Sequence, residues 1–460
     1  MLVLSLRTAR WRSTLSIRLK NKPSSRLFSA IAHENSVEHI RVRCKSSGDI
    51  TVTLHNINKY PSTTPLMIYL PPFGSLSSKL TPQIALPLWL HEYPTAVINY
   101  RWQPIPLTPE AEADQDNPSL KPHPLSWPTP IHDILFGYTW LSENLVSPPF
   151  TEPPPSNSDS DLIPPPSIPS RPAYIYGSYL GATLATSLSL TESHSPKQTP
   201  SLNIRGLIAY NGIYNWTTFL PDHPLNKPRG GNHRLRNYIP FAYRTRSHPF
   251  YPDHHSPPSP AFTYLSTQLP LLFPSPSQLF DSFASPSLFF HTPPLHVPKD
   301  FTSTRSDLLK TIDPNSPLPD NLSTEDLFRA MPPPDRGSLR YPPPESTLVI
   351  PPSLIIYDKD VTGFQYQAEE LGFYMKRSVY LYEGYEGKGF QYDLNEDMQR
   401  NEERRRKYLE EKERRVEMIG REIKKRKEQS TKWGLDERGE EFVRDWVGGM
   451  ILEERGGSQS

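Results

Sequence analysis

Histidine is absent from this chain after His296, so nothing beyond that point can supply an imidazole as base, acid or metal ligand. A single cysteine, Cys44, excludes an intramolecular disulfide and a thiolate metal cluster. No window approaches the ~20 consecutive apolar residues of a membrane-spanning helix. Neither a phosphate-cradling glycine loop nor a dinucleotide fingerprint occurs. Acidic residues are missing from the opening stretch, where the first carboxylate is Glu34.

What is abundant is proline, 55 of 460 residues, against only 35% hydrophobic residues. The chain is long enough for a large core, but proline clusters in a few stretches, so insertions and linkers take a sizeable share of it. The formal net charge of +1 hides a polarity. Residues 1–28 hold seven basic side chains (Arg7, Arg10, Arg12, Arg18, Lys20, Lys22, Arg26) and no acid. Without them the remainder holds 43 basic and 49 acidic residues, a net of −6. Arginine, serine and spaced apolar residues at the N-terminus are the composition of a mitochondrial transit peptide, and "RLF" before "SA" places cleavage after Phe28, in the matrix. The other readings of the same residues are a basic disordered tail that is never removed, or one that binds an anionic surface.

Short β-branched and aromatic runs bounded by Gly, Pro, Asn or Asp predict eight strands, at 38–44, 49–55, 66–70, 95–100, 173–177, 204–210, 353–357 and 378–383. The first two alternate, as an antiparallel pair does. The later ones are continuously apolar, as parallel strands covered on both faces are. Helices are predicted at 130–145, 180–193 and 364–376, so the expected class is α/β, with helices on both faces of a mostly parallel sheet. Residues 147–172 lack periodicity and read as a disordered Pro/Ser-rich insertion. Residues 215–350 read as a cap over one edge of the sheet, and 396–430, dense in Glu, Arg and Lys, as a long charged helix that opens a C-terminal extension to 460.

Four loops carry the candidate chemistry. After the fifth strand comes "GSYLGATLA", with Gly177 and Gly181 four apart and Tyr179 midway between them. After the seventh comes "LIIYDKD"; after the expected eighth, "YEGYEGKGF"; after the third, "PPFGS". On these residues the chain resembles the α/β-hydrolase superfamily, and within it the hormone-sensitive-lipase-like (fold-3) esterases. It looks like a divergent, fungal-type member, the resemblance covering roughly residues 38–395. The superfamily places a nucleophile on a strained strand-to-helix elbow and an oxyanion hole on backbone amides. The resemblance implies a core of residues 29–214 and 351–395. It sets Tyr179 in the nucleophile column, Asp360 in the acid column with Asp358 as alternative, and Lys388 in the histidine column. Phe73, Gly74 and Ser75 are the remaining oxyanion donors, because Pro71 and Pro72 have no amide hydrogen.

Ser178 is the alternative nucleophile, but one residue along so tight a turn reverses the side-chain direction. Nucleophile, base and oxyanion loop thus all depart from the pattern, which implies a degenerate triad. The expected function is binding of a small-molecule ligand or protein partner through the cap or the charged tail. The rival expectations are an active carboxylesterase or lipase and an interaction protein working through its C-terminal helix. No cofactor or metal is expected: His254 and His255, with Asp253 adjacent, lack ligand spacing. Asp133 matches a structural position of the family, and His132 beside it reads as an ordinary histidine. No nucleic-acid partner is expected either, since the acids of "RRRKYLEEKERR" nearly balance its bases.

Overall fold

A computed structural model describes residues 37–73, 86–102, 126–145, 170–195, 200–226, 260–311, 323–359, 362–382, 398–421 and 433–457. In chain order the described elements begin with β1 (Val37–Arg43), β2 (Asp49–His55), β3 (Leu66–Leu70), β4 (Thr95–Asn99), α1 (Thr129–Asn144), β5 (Arg171–Ser178), α2 (Leu180–Glu192) and β6 (Leu202–Tyr210). The region after β6 holds α3 (Pro260–Thr267), α4 (Leu269–Leu272), α5 (Arg305–Thr311) and α6 (Thr324–Ala330). Then follow β7 (Ser353–Asp358), α7 (Thr362–Tyr382), α8 (Met398–Arg415), β8 (Val416–Arg421) and α9 (Glu437–Gly457).

The strands form one eight-stranded sheet in the order β1-β2-β4-β3-β5-β6-β7-β8. β1 and β2 pair antiparallel, β2 pairs antiparallel with β4, and every other neighbour is parallel. This is the α/β-hydrolase arrangement. Every residue of β3 and β7 is buried, the cause of the unbroken apolar run of β3 and of the Leu354–Tyr357 centre of β7, whereas edge strand β1 buries only Val42.

Helix α2 is buried from Leu180 to Leu190 although it carries several hydroxyls. Thr186, Ser187 and Thr191 donate to the carbonyls four residues back, at 2.8, 3.2 and 3.0 Å, which removes the cost of burying them unbonded. On the opposite flank, Arg101 clamps Asp133 of α1 with its backbone amide (3.0 Å), Nε (2.9 Å) and Nη2 (2.5 Å). Asp133 is fully buried, so this pair is a structural tie between the β4 end and α1. His132 beside it is exposed.

The sequence reading and the structure part at the C-terminal side. Of the strand expected at 378–383, residues 378–382 are the last turns of α7, where Val379 packs inward while Tyr380 and Leu381 face solvent. The charged helix expected over 396–430 ends at Arg415, and Val416–Arg421 forms the eighth strand, paired in register from Ser353↔Val416 to Asp358↔Arg421. An edge strand bonds on one side only and needs little burial, so Glu417 and Arg421 fit there, while Gly420 disfavours helix. The sheet therefore draws its last strand from beyond residue 395, where the core was expected to end. The stretches 1–36, 146–169 and 383–397 lie outside the described residues, and with them the transit-peptide and most of the insertion expectations.

Candidate functional site

β5 runs straight into α2 through Tyr179, whose backbone sits at φ 51°, ψ −116°. That conformation is costly for a residue with a Cβ, and it persists where the surroundings over-determine it. The two glycines do so. A Cβ on Gly177 would lie 2.3 Å from the Gly181 carbonyl oxygen, and one on Gly181 would lie 2.3 Å from the oxygens of both Leu70 and Pro71. The Tyr179 amide donates to Tyr210 O at 2.9 Å. The expected elbow is therefore present, and it carries a phenol.

That phenol sits in an aromatic enclosure and is only 6% exposed. Trp433 meets the Tyr179 ring edge-on at 4.9 Å between centroids, as do Phe364 at 5.5 Å and Tyr210 at 5.8 Å; Phe73 stacks at 6.4 Å. Such edge-to-face pairs are worth about 0.5–1.5 kcal/mol each beyond burial. Phe262 and Tyr264 of α3 extend the layer, Phe262 against Phe364 and Tyr264 against Trp433.

The amide of Leu180, which follows the elbow residue and in this fold would donate to an oxyanion, donates instead to Pro72 O at 3.3 Å. Of the loop after β3, Phe73 is described and its ring packs on Trp433 at 4.6 Å, whereas Gly74 and Ser75 lie outside the described residues. Ser178, the alternative nucleophile, is fully buried at the end of β5 with its hydroxyl against the Tyr69 phenol.

The acid side is occupied. Asp358, at the end of β7, accepts from Tyr210 Oη at 2.8 Å and from Asn211 Nδ2 at 2.8 Å, and its own amide donates to Asn211 Oδ1 at 3.1 Å. Asn211 Nδ2 also reaches the Tyr179 hydroxyl at 3.4 Å. A chain of carboxylate, amide and phenol thus runs from the end of β7 to the elbow residue. Burial, with Tyr179 and Asp358 next in weight, pushes the Tyr210 phenol well above its ordinary range, so it remains a neutral donor. Asn211 is itself left-handed, at φ 50°. Sequence reading missed it, and the signal was its Asn-Gly pair directly after a strand, which marks a left-handed turn.

Asp360 and Lys388 lie outside the described residues, and the strand from which Lys388 was placed is helical. The first described residue after the actual eighth strand is Trp433, and its ring covers the elbow. Asp253, His254 and His255 are likewise undescribed, and among the described residues no group of three His, Cys, Asp or Glu side chains could hold a metal ion. No described helix is long and apolar enough to cross a membrane.

No protein-family model matches the chain, and no curated protein matches it. Among solved structures it is similar to fungal esterases from Rhizomucor miehei, at 12% identity and a TM-score of 0.41, over 91% of this chain and 83% of that one. It is also similar to EstE1, a carboxylesterase cloned from a metagenomic library, at 12% identity and a TM-score of 0.39, over 91% and 90%. Carboxyl esterase 2 of the fungus Tuber melanosporum shows 13% identity and a TM-score of 0.35, over 76% and 75%. The fold rests on the strand order and directions above, independently of these likenesses.

Proposed function

We propose that this chain is an α/β-hydrolase scaffold without hydrolase chemistry, which binds a ligand or a protein partner. The observation that carries it is Asn211, set between Asp358 and Tyr179. A carboxamide neither takes up nor releases a proton near neutral pH, so nothing in that chain can activate the elbow hydroxyl. The Leu180 amide held by Pro72 and the absence of histidine beyond His296 point the same way. Purified protein is expected to hydrolyse short p-nitrophenyl esters no faster than buffer and to ignore a serine-directed fluorophosphonate. Turnover that disappears in Ser178→Ala or Tyr179→Phe overturns the reading.

The rival reading, an active esterase, draws support from the retained strain at Tyr179, since backbone strain of this kind clusters at working sites. The same assay decides between the two. A third reading places the function on α8, whose exposed pairs Glu403–Lys407, Glu402–Arg405 and Arg406–Glu410 present alternating charge to solvent. Deleting the whole C-terminal extension would also remove β8 and Trp433, so reversing Arg406 and Lys407 to Glu is the cleaner test. An unchanged set of partners would remove that reading. Matrix targeting by residues 1–28 belongs to the proposal and rests on their acid-free, arginine- and serine-containing composition. A fusion lacking them that still enters mitochondria would refute it.

A further inference from the structure

Away from the elbow, four chain segments meet at one buried carboxylate. Glu370 of α7 accepts from Asn215 Nδ2, just after β6, at 3.0 Å, and pairs with Arg336 Nη2. Arg336 also donates from Nη2 to His291 Nε2 at 2.8 Å, while that nitrogen lies 3.5 Å from Glu370 Oε1. The side chains of Glu370, His291 and Arg336 are 2%, 1% and 11% exposed. His291 and Arg336 both belong to the cap insertion and Glu370 to the helix beneath it, so these contacts fasten one to the other. One turn earlier on α7, Gln367 Oε1 accepts from the amides of Tyr214 and Asn215 at 2.9 and 2.7 Å.

A guanidinium can only donate. At 2.8 Å, His291 Nε2 must therefore offer its lone pair, and the fastening holds only while His291 is neutral. Adding a proton sets two N–H groups and two positive charges against each other in a dry site. We propose that Arg336, His291 and Glu370 form an acid-released latch, which holds the cap on α7 at neutral pH and lets go when His291 is protonated. The latch is independent of whether the elbow retains chemistry.

The groups facing His291 set the sign. Burial lowers its proton affinity most, Arg336 lowers it further, and Glu370 and the Thr292 backbone raise it, with the net below the ordinary 6.5. Tyr374 packs on the imidazole at 4.7 Å between centroids and under Arg336 at 5.0 Å, and its phenol, pushed up to about 12 by burial, stays neutral. Tyr366 Oη stands 3.5 Å from Glu370, and Arg377 acts on the cluster through Tyr374. Burial acts most strongly on Glu370 and raises it, but Arg336, His291 and Asn215 together hold it below the usual carboxylate range, so it stays ionised throughout. Because the released imidazole binds a proton more readily than the latched one, the fastening is complete above about pH 6.5 and weakens as pH falls.

Hydrogen-exchange mass spectrometry on the full chain tests this, comparing pH 7.5 with pH 5.5 after correction for intrinsic rates. Segments 286–292 and 336–341 are expected to exchange up to about tenfold faster at pH 5.5, with β5 and β6 unchanged. In His291→Gln the amide oxygen keeps the Arg336 bond and does not titrate, so the acceleration should vanish. Arg336→Gln, a second variant should the first not fold, leaves His291 facing Glu370 alone, and acid should then tighten the cap. Equal protection of the native protein at both pH values, or acid loosening that persists in either variant, overturns the proposal.

Discussion

The amide of Leu180 donates to the carbonyl of Pro72. In an acting hydrolase of this fold that amide stays available for charge developing on the substrate, and removing one such donor costs about 10²–10³-fold in kcat. On the proposed reading, with neither a free oxyanion amide nor a base, a hydroxyl restored at the elbow is not expected to turn over esters. Tyr179→Ser is expected to fold and to leave p-nitrophenyl acetate hydrolysis at the buffer rate. A burst of p-nitrophenol stoichiometric with protein would contradict this.

Space rather than conformation fixes Gly181. Its missing Cβ is replaced by two carbonyl oxygens at 2.3 Å, and backbone cannot swing aside as a side chain can. Gly181→Ala should destabilise the protein by about 3 kcal/mol or more through overpacking, read as a lower urea midpoint with an unchanged slope.

Asp133 is expected to behave as half of a buried ion pair. Its removal leaves the Arg101 guanidinium and the Arg101 amide without their carboxylate, so Asp133→Ala should cost about 3–5 kcal/mol in chemical denaturation.

Glu370 gives stability a slope with pH at the acid end. Its folded affinity for protons lies below that of the unfolded chain, so its contribution is whole above about 4.5, the ordinary value, and is lost as pH falls from there towards the depressed folded value. Thermal melts from pH 6 down to pH 3 should fall more steeply for the native protein than for Glu370→Gln. Parallel curves would show that the carboxylate contributes nothing.

Cys44 is 1% exposed, and its thiol is raised to about 11, by burial first and then by the nearby Asp133 carboxylate. At pH 8 almost none is thiolate, so iodoacetamide should modify it at least a hundredfold more slowly than a free thiol, as followed by intact mass.

The elbow was legible because geometry leaves its sequence no choice: two glycines four apart, each pressed on carbonyl oxygens, bracket one strained residue between strand and helix. The strands β3 to β7 were legible for the same kind of reason, since strands covered on both faces are largely apolar, and β1 and β2 by the alternation of an antiparallel pair. β8 was not. It lies at an edge, with Glu417 and Arg421 partly wet, and its short apolar run is framed by charges that continue those of the helix leading into it. "SVYLY" was misread in the opposite sense, because β-branched and aromatic residues sit well enough in a helix when Met375 and Val379 are packed against the core. Asn211 and Trp433 became visible only when the topology brought Asp358, Tyr179 and the segment after β8 to one edge of the sheet.

The late arrival of β8 in the chain has a consequence for synthesis. β7 ends at Asp358, but its partner begins at Val416, after two further helices. A nascent chain that has not yet emerged past that point carries a mainly apolar strand with one ladder of backbone donors and acceptors unmatched, the surface on which unfinished chains stick together. Premature termination anywhere between β7 and β8 would leave that ladder open for good, so such truncated products are ready substrates for chaperones and proteases.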